Sequence, residues 1–183
     1  MDFTAVFKFL IEALTRENID FALIGGFALQ TAGVTRTTRD IDLLILSKDS
    51  AKIKDILLKS GYELIHGSED ILNFTGKKTE LGRVDFLLAH RKYTLAMLAR
   101  AEKQDLFGGE FEVKTLKPDD LIGLKVQSSS NDPRRRLQDM ADIKEIIRKN
   151  YGKIDIDLIR EYFDLFDRGN ELDEIIEDIK NAE

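Results

Sequence analysis

The amino-acid sequence predicts an α/β (α+β) fold, a mixed β-sheet flanked by helices over residues 1–116, followed by a C-terminal helical bundle over 117–183. Three observations predict it. Short apolar runs of strand character alternate with helix-period segments as far as Leu116. The character changes at Lys117-Pro118-Asp119-Asp120, a helix start, after which every segment has a helical pattern. A chain of 183 residues, 43% hydrophobic and free of repeats or low-complexity tracts, suits one domain or a domain with a small helical appendage.

Each element has its own signal. Phe3, Val6, Phe7, Leu10, Ile11 and Leu14 recur at helical spacing behind Asp2, a capping residue, and predict a helix over 3–16. Phe21–Ile24 reads as a short buried strand broken by Gly25-Gly26, and Phe27–Ala32 as a helix stopped by Gly33. Val34–Arg39 is a polar loop before the strand Asp40–Leu46. Ile53, Ile56 and Leu57 place a helix within Ser47–Ser60, closed by Gly61. Tyr62–Ile65, Ile71–Thr75 and Gly82–Leu88 are strands separated by Gly- and charge-rich turns. Tyr93–Glu102 is helical, and Glu110–Leu116 alternates as a half-buried strand. Helices follow over roughly 119–129, 133–149, 155–167 and 170–181, expected to pack on the core.

Composition excludes several functions. Twenty-eight Lys and Arg against 34 Asp and Glu give a net charge of −6, which argues against a broad basic face for nucleic acid. Arginine-rich stretches at 36–39 and 134–136 still allow a local positive rim. The absence of cysteine rules out disulfides, thiolate zinc sites and cysteine nucleophiles. His66 and His90 are too few for a histidine-rich metal site. No apolar stretch approaches the ~18 residues needed to span a bilayer, and the first twenty residues lack signal-peptide character. The expectation is a cytoplasmic protein with no membrane association. Neither a Gly-x-Gly-x-x-Gly nor a Walker A motif is present. Asn73-Phe74-Thr75 fits a glycosylation pattern that has meaning only in a secreted chain.

The carboxylates carry the chemistry. Asp40 and Asp42 are two apart in an apolar run, so on a strand they share one face while Ile41 and Leu43 share the other. Such a pair suits Mg²⁺ or Mn²⁺; without a cation, like charges ~4 Å apart at an effective dielectric of ~20 repel by about 4 kcal/mol before screening. The plain alternative is a strand-end pair facing water. Asp85, in Arg83-Val84-Asp85-Phe86-Leu87-Leu88, adds a third carboxylate to the same face if its strand lies beside Asp40–Leu46. Three such groups hold two metals, or one metal plus a general base for a hydroxyl nucleophile. The alternative for Asp85 is a lone edge-facing aspartate. Gly25-Gly26 lets backbone N–H groups approach a phosphate, or marks only a tight corner. Arg36 and Arg39, with Thr35, Thr37 and Thr38, form a loop rich in donors, suited to phosphate or to plain solvation.

Together these residues carry a resemblance. Gly25-Gly26, thirteen residues, Asp40-Ile41-Asp42-Leu43 and then Val84-Asp85-Phe86 resemble the signature of the DNA polymerase β-type nucleotidyltransferase superfamily. The wider run Leu23–Gly33, with Arg36, Thr38 and Asp40-Ile41-Asp42, is similar to a bacterial branch that includes nucleotidyltransferase-like toxins of abortive-infection systems. Leu116–Lys125 resembles the segment that opens the family's helical part. Arg135 or Arg136 with Gln138-Asp139-Met140-Ala141-Asp142 resembles its Arg-x-x-Lys-Asp-x-x-Asp helix, with Gln138 where the pattern has Lys. The likeness runs from about Phe21 to Ile147.

The resemblance implies a nucleotidyltransferase fold and transfer of a nucleoside monophosphate from a nucleoside triphosphate to a hydroxyl, with release of pyrophosphate. It implies metal ligation by Asp40, Asp42 and Asp85, and nucleotide contacts from Gly25, Gly26, Arg36, Thr38 and Arg39. Lys125 would meet the phosphates, with Asp142 orienting Lys125 or a substrate group. An RNA end, a small molecule and a protein all stand as acceptors. The alternatives are a non-catalytic nucleotide-binding relative, or the toxin of a toxin–antitoxin pair covered by an antitoxin-like partner.

Overall fold

A computed structural model describes residues 1–182 and divides the chain into two units. One comprises Met1–Thr31 and Arg36–Leu116; the other comprises Ala32–Thr35 and the chain from Lys117 onward.

The first unit opens with α1 (Phe3–Arg16), capped by Asp2, whose Oδ1 accepts from the Ala5 amide at 3.0 Å. Its apolar stripe, Val6, Phe7, Leu10, Ala13 and Leu14, is buried. Then follow β1 (Phe21–Ile24), α2 (Gly25–Thr31), β2 (Asp40–Leu46), α3 (Ser50–Lys59), β3 (Tyr62–Gly67), β4 (Ile71–Gly76), β5 (Arg83–Ala89), α4 (Lys92–Arg100), β6 (Glu102–Leu106) and β7 (Phe111–Thr115). The seven strands form one mixed sheet in the order β3-β4-β5-β2-β1-β7-β6.

Two sequence expectations need correction. Gly25 and Gly26 are not a turn ahead of a helix at Phe27 but the first residues of α2 itself, which Gly25 enters at φ +64°. The helix expected over Tyr93–Glu102 stops at Arg100, and Glu102–Leu106 is an edge strand paired antiparallel with β7.

β2 lies at the centre, antiparallel to β1 and parallel to β5. Strand alternation sorts its two sides. Ile41 and Leu43 of β2, Val84 and Phe86 of β5, and Leu72 and Phe74 of β4 are all essentially fully buried. The intervening residues, Asp40, Asp42, Arg83, Asp85, Asn73 and Thr75, point the other way and stay partly or fully exposed.

The helical unit contains α5 (Pro118–Asn131), α6 (Arg136–Asn150), α7 (Ile156–Asp164) and α8 (Gly169–Ala182). Pro118 sits in the first turn of α5, where a missing N–H costs nothing. Ile122, Val126, Ile143, Ile146, Ile147, Ile159, Phe163 and Leu172 are its fully buried core. The buried Arg168 guanidinium ties helices together, donating to the Val126 carbonyl, to the hydroxyls of Ser129 and Ser130 and to the Glu171 carboxylate. No described helix is long and apolar enough to cross a membrane.

Candidate active site

The site is built from the polar side of two neighbouring strands. Asp40 and Asp42 project from β2, and Asp85 from β5, with Asp42 directly opposite Asp85 and Asp40 opposite Arg83. One carboxylate oxygen from each of the three aspartates lies within 4.8 Å of the others, and all three side chains are half-buried. A side chain on a central strand has little freedom to relax, so this convergence is fixed by the register rather than by a loop.

The glycines explain themselves here. A Cβ added at Gly25 would stand 1.9 Å from Asp42 Oδ2, and one at Gly26 would stand 2.5 Å from the Thr38 Cβ. Only glycine leaves room for the Asp42 carboxylate, and Gly25 also adopts a left-handed φ that other residues resist. Thr38 in turn places its hydroxyl 3.1 Å from both the carbonyl and Oδ1 of Asp40. The Gly25–Gly26 pair and Thr38 thus shape the space around the two carboxylates of β2.

Asp85 Oδ1 is buried without a hydrogen-bond partner, and its Oδ2 lies 3.6 Å from the Arg83 guanidinium. Burial pushes its carboxyl above the usual aspartate range, Asp40's charge adds to the rise, and Asn73 and Arg83 oppose it. Asn73 stands opposite Asp85 in the β4–β5 register. Clustered oxygens on rigid strands, one of them buried and unsatisfied, match the donor chemistry of a hard divalent cation.

The remaining residues singled out in the sequence fall in several places. Arg36 is half-buried, its carbonyl accepting from Gln30 Nε2 at 3.4 Å, and Arg39 is exposed. Lys125 and Asp142 belong to the helical unit, where Lys125 Nζ sits 2.6 Å from Asp142 Oδ2 and 3.0 Å from Asp139 Oδ1. Gln138, the departure from the family pattern, donates to Asp142 Oδ1 at 3.0 Å. Arg135 Nε lies 3.5 Å from the second oxygen of Asp139. Two neighbours escaped the sequence reading. Asn73 was noticed only in a glycosylation pattern, although its alternation with Leu72 and Phe74 places it on the polar side of a strand. Asp139 was seen as a helix-face neighbour of Asp142, and its grip on Lys125 was not.

A mixed sheet that gathers aspartates from two parallel neighbouring strands beside a glycine pair defines the nucleotidyltransferase class. The chain belongs to the family described as "Uncharacterised nucleotidyltransferase", whose model matches residues 3–167. No curated protein sequence matches it. Among solved structures it is similar to the antibiotic-resistance factor ANT(2'')-Ia, at 15% identity and a TM-score of 0.63 with both chains fully covered. It is similar to the lincosamide antibiotic adenylyltransferase LnuA, at 14% identity and a TM-score of 0.54, covering 78% of this chain and 94% of that one. It is also similar to an antigenic nucleotidyltransferase-like protein from Paracoccidioides brasiliensis, at 18% identity and a TM-score of 0.58, covering 96% and 92%. At these identities the likeness is one of fold.

Proposed function

We propose that the chain transfers a nucleoside monophosphate from a nucleoside triphosphate to an acceptor hydroxyl, in a reaction that depends on Mg²⁺ or Mn²⁺. The observation that carries this reading is the convergence of Asp40, Asp42 and Asp85 within 4.8 Å on paired strands, with one Asp85 oxygen buried and unsatisfied. These three carboxylates would hold the cation. A divalent ion bound there supplies neutralisation of triphosphate charge and of the charge that builds on the leaving group.

The chain's own residues do the rest. Gly25 and Gly26 keep Cβ atoms away from the Asp42 carboxylate and from Thr38, and leave backbone free to approach phosphate oxygens. Thr38 fixes the Asp40 carboxylate through its hydroxyl, and Arg36 and Arg39 supply cationic donors from the same loop. The acceptor oxygen forms a bond to the α-phosphorus as the bond to the β-phosphate oxygen breaks, and pyrophosphate departs with the electron pair. Asp85, on the strand beside Asp40 and Asp42, completes the cation site or accepts the hydroxyl proton.

The test needs no acceptor. Thermal unfolding is followed with ATP, GTP, CTP and UTP, with and without Mg²⁺, for the wild type and Asp40→Asn. One triphosphate at a hundred times its dissociation constant should stabilise the wild type by about 2.7 kcal/mol, only with Mg²⁺, and the variant should lose the effect. Absence of any metal-dependent shift sinks the proposal. ANT(2'')-Ia has been solved with adenylyl-2"-tobramycin, and LnuA with lincomycin. Those two small hydroxyl-bearing molecules are therefore the first acceptors to try.

A further inference from the structure

The polar side of the sheet does not end at the carboxylates. Following the register outward from β2, one row runs Asp42, Asp85, Asn73, His66 and the next runs Asp40, Arg83, Thr75, Glu63. Strands lie ~4.8 Å apart and same-face neighbours ~7 Å apart along a strand, so the two rows form a ledge about 14 Å by 7 Å. Asn73 and Thr75 are half-buried in its floor, while Glu63, His66 and Arg83 are exposed. A sheet face that served only to meet water would have no need to begin at a buried, unsatisfied Asp85 oxygen with Asn73 beside it.

The ledge's chemistry narrows its occupant. Beyond the aspartates it offers an amide, a hydroxyl and an imidazole, groups that both donate and accept. Its outer charges are largely paired, Glu63 with Lys77 at 3.9 Å and Arg83 with Asp85 at 3.6 Å. A phosphodiester backbone would find four carboxylates and no unengaged row of cations, the reverse of what nucleic acid requires. An extended peptide would seek main-chain hydrogen bonds at the outer edge of β3, where the register shift between Leu64 and His66 breaks the regular spacing.

We propose that this ledge is the acceptor subsite, and that the acceptor is a small polyhydroxylated molecule lying across β5, β4 and β3 with its reacting hydroxyl at Asp85. The proposal rests on the nucleotidyl-transfer reading above, and names the substrate class of that same site. Asn73 and Thr75 set specificity by hydrogen-bonding the acceptor's remaining hydroxyls.

The experiment uses the full chain, Mg²⁺ and the triphosphate that shifts the melting temperature most, labelled at its α-phosphorus. Four probes compete for label: tobramycin, lincomycin, an RNA oligonucleotide with a free 3'-hydroxyl, and a peptide containing Ser and Tyr. Label is expected on tobramycin or lincomycin. Asn73→Ala and Thr75→Ala should each raise the KM for that acceptor about tenfold, the worth of one hydrogen bond, and in Thr75→Ala, which leaves the Asn73 hydrogen bond to Asp85 in place, the metal-dependent thermal shift with nucleotide persists. That shift also shows that Thr75→Ala is folded. Label on RNA or peptide alone overturns the subsite, as does nucleotide binding without transfer to either small molecule. An acceptor KM unchanged in both variants overturns it equally. No shift with any triphosphate in the wild type overturns the nucleotidyl-transfer reading, and the subsite falls with it.

Discussion

Each unit of the molecule gathers aspartates, and the two gatherings are resolved in opposite ways. In the helical unit, Asp139 and Asp142 are 1% and 4% exposed, and both reach the Lys125 ammonium, at 3.0 and 2.6 Å. Gln138 fills a further acceptor of Asp142, and Arg135 approaches Asp139. In the sheet unit, Asp40, Asp42 and Asp85 face one another and remain half-buried; Asp85 Oδ1 and, in the helical unit, Asp139 Oδ2 are each buried without a hydrogen-bond partner. Burial and charge balance go together: the group carrying its own cation is buried deepest, and the group of three keeps contact with water. The difference separates carboxylates buried against a shared ammonium from carboxylates that face one another at the edge of solvent.

The largest stability effect should come from breaking the balanced group. Lys125→Met leaves two buried carboxylates without their shared ammonium, and removing one partner of a buried ion pair typically costs 3–5 kcal/mol. Urea denaturation at pH 7 should show a loss of about that size. A loss under about 1 kcal/mol would mean that Lys125 does not balance the pair, and the contrast between the two groups would collapse.

A smaller but more specific effect should follow from crowding the other group. Gly25→Ala puts a Cβ into the Asp42 carboxylate and forces a left-handed φ on a residue that resists it. Left-handed backbone costs roughly 1–2 kcal/mol, and that loss in unfolding free energy is expected. Displacing Asp42 should also abolish the Mg²⁺-dependent thermal shift with nucleotide. Retention of that shift would show that the glycine serves the chain's path and not the carboxylate.

How far these two groups were legible in the sequence follows from the range of the interactions. Asp40 and Asp42 declare a shared face because Ile41 and Leu43 fill the alternate positions, and period two is a local property. Asp85 required the further step of pairing β5 with β2, which the family resemblance supplied. The edge strand Glu102–Leu106 gives no signal in the sequence beyond a helix drawn as far as Glu102, because only Leu106 is buried and no apolar alternation marks it. Gly25 and Gly26 read in the sequence as a phosphate-approaching turn or a tight corner, whereas the space each must leave is set by Asp42, seventeen residues on from Gly25, and by Thr38 against Gly26. Lys125 and Asp139, fourteen residues apart on different helices, meet only once α5 packs on α6. Asn73 acquires meaning solely through its register with Asp85.

The smallest effect tests the sheet group most directly, through Asp85→Asn in metal-free buffer. Burial raises the Asp85 carboxyl above its unfolded value, so the folded state favours the protonated form. Below the ordinary aspartate range both folded and unfolded forms are protonated, and the variant should match the wild type. As pH rises through the folded carboxyl's range the wild type must ionise a half-buried group, so the variant should become the more stable, by less than about 1 kcal/mol at pH 7. Saturating Mg²⁺ and nucleotide should reverse the order, since the wild type then gains a ligand and the variant loses one of its donors. Equal stability at every pH, with no reversal on adding Mg²⁺, would remove Asp85 from the proposed cation site. A gap that opens with pH and changes sign with metal is the behaviour of a carboxylate kept at a cost to the free protein for a cation it awaits.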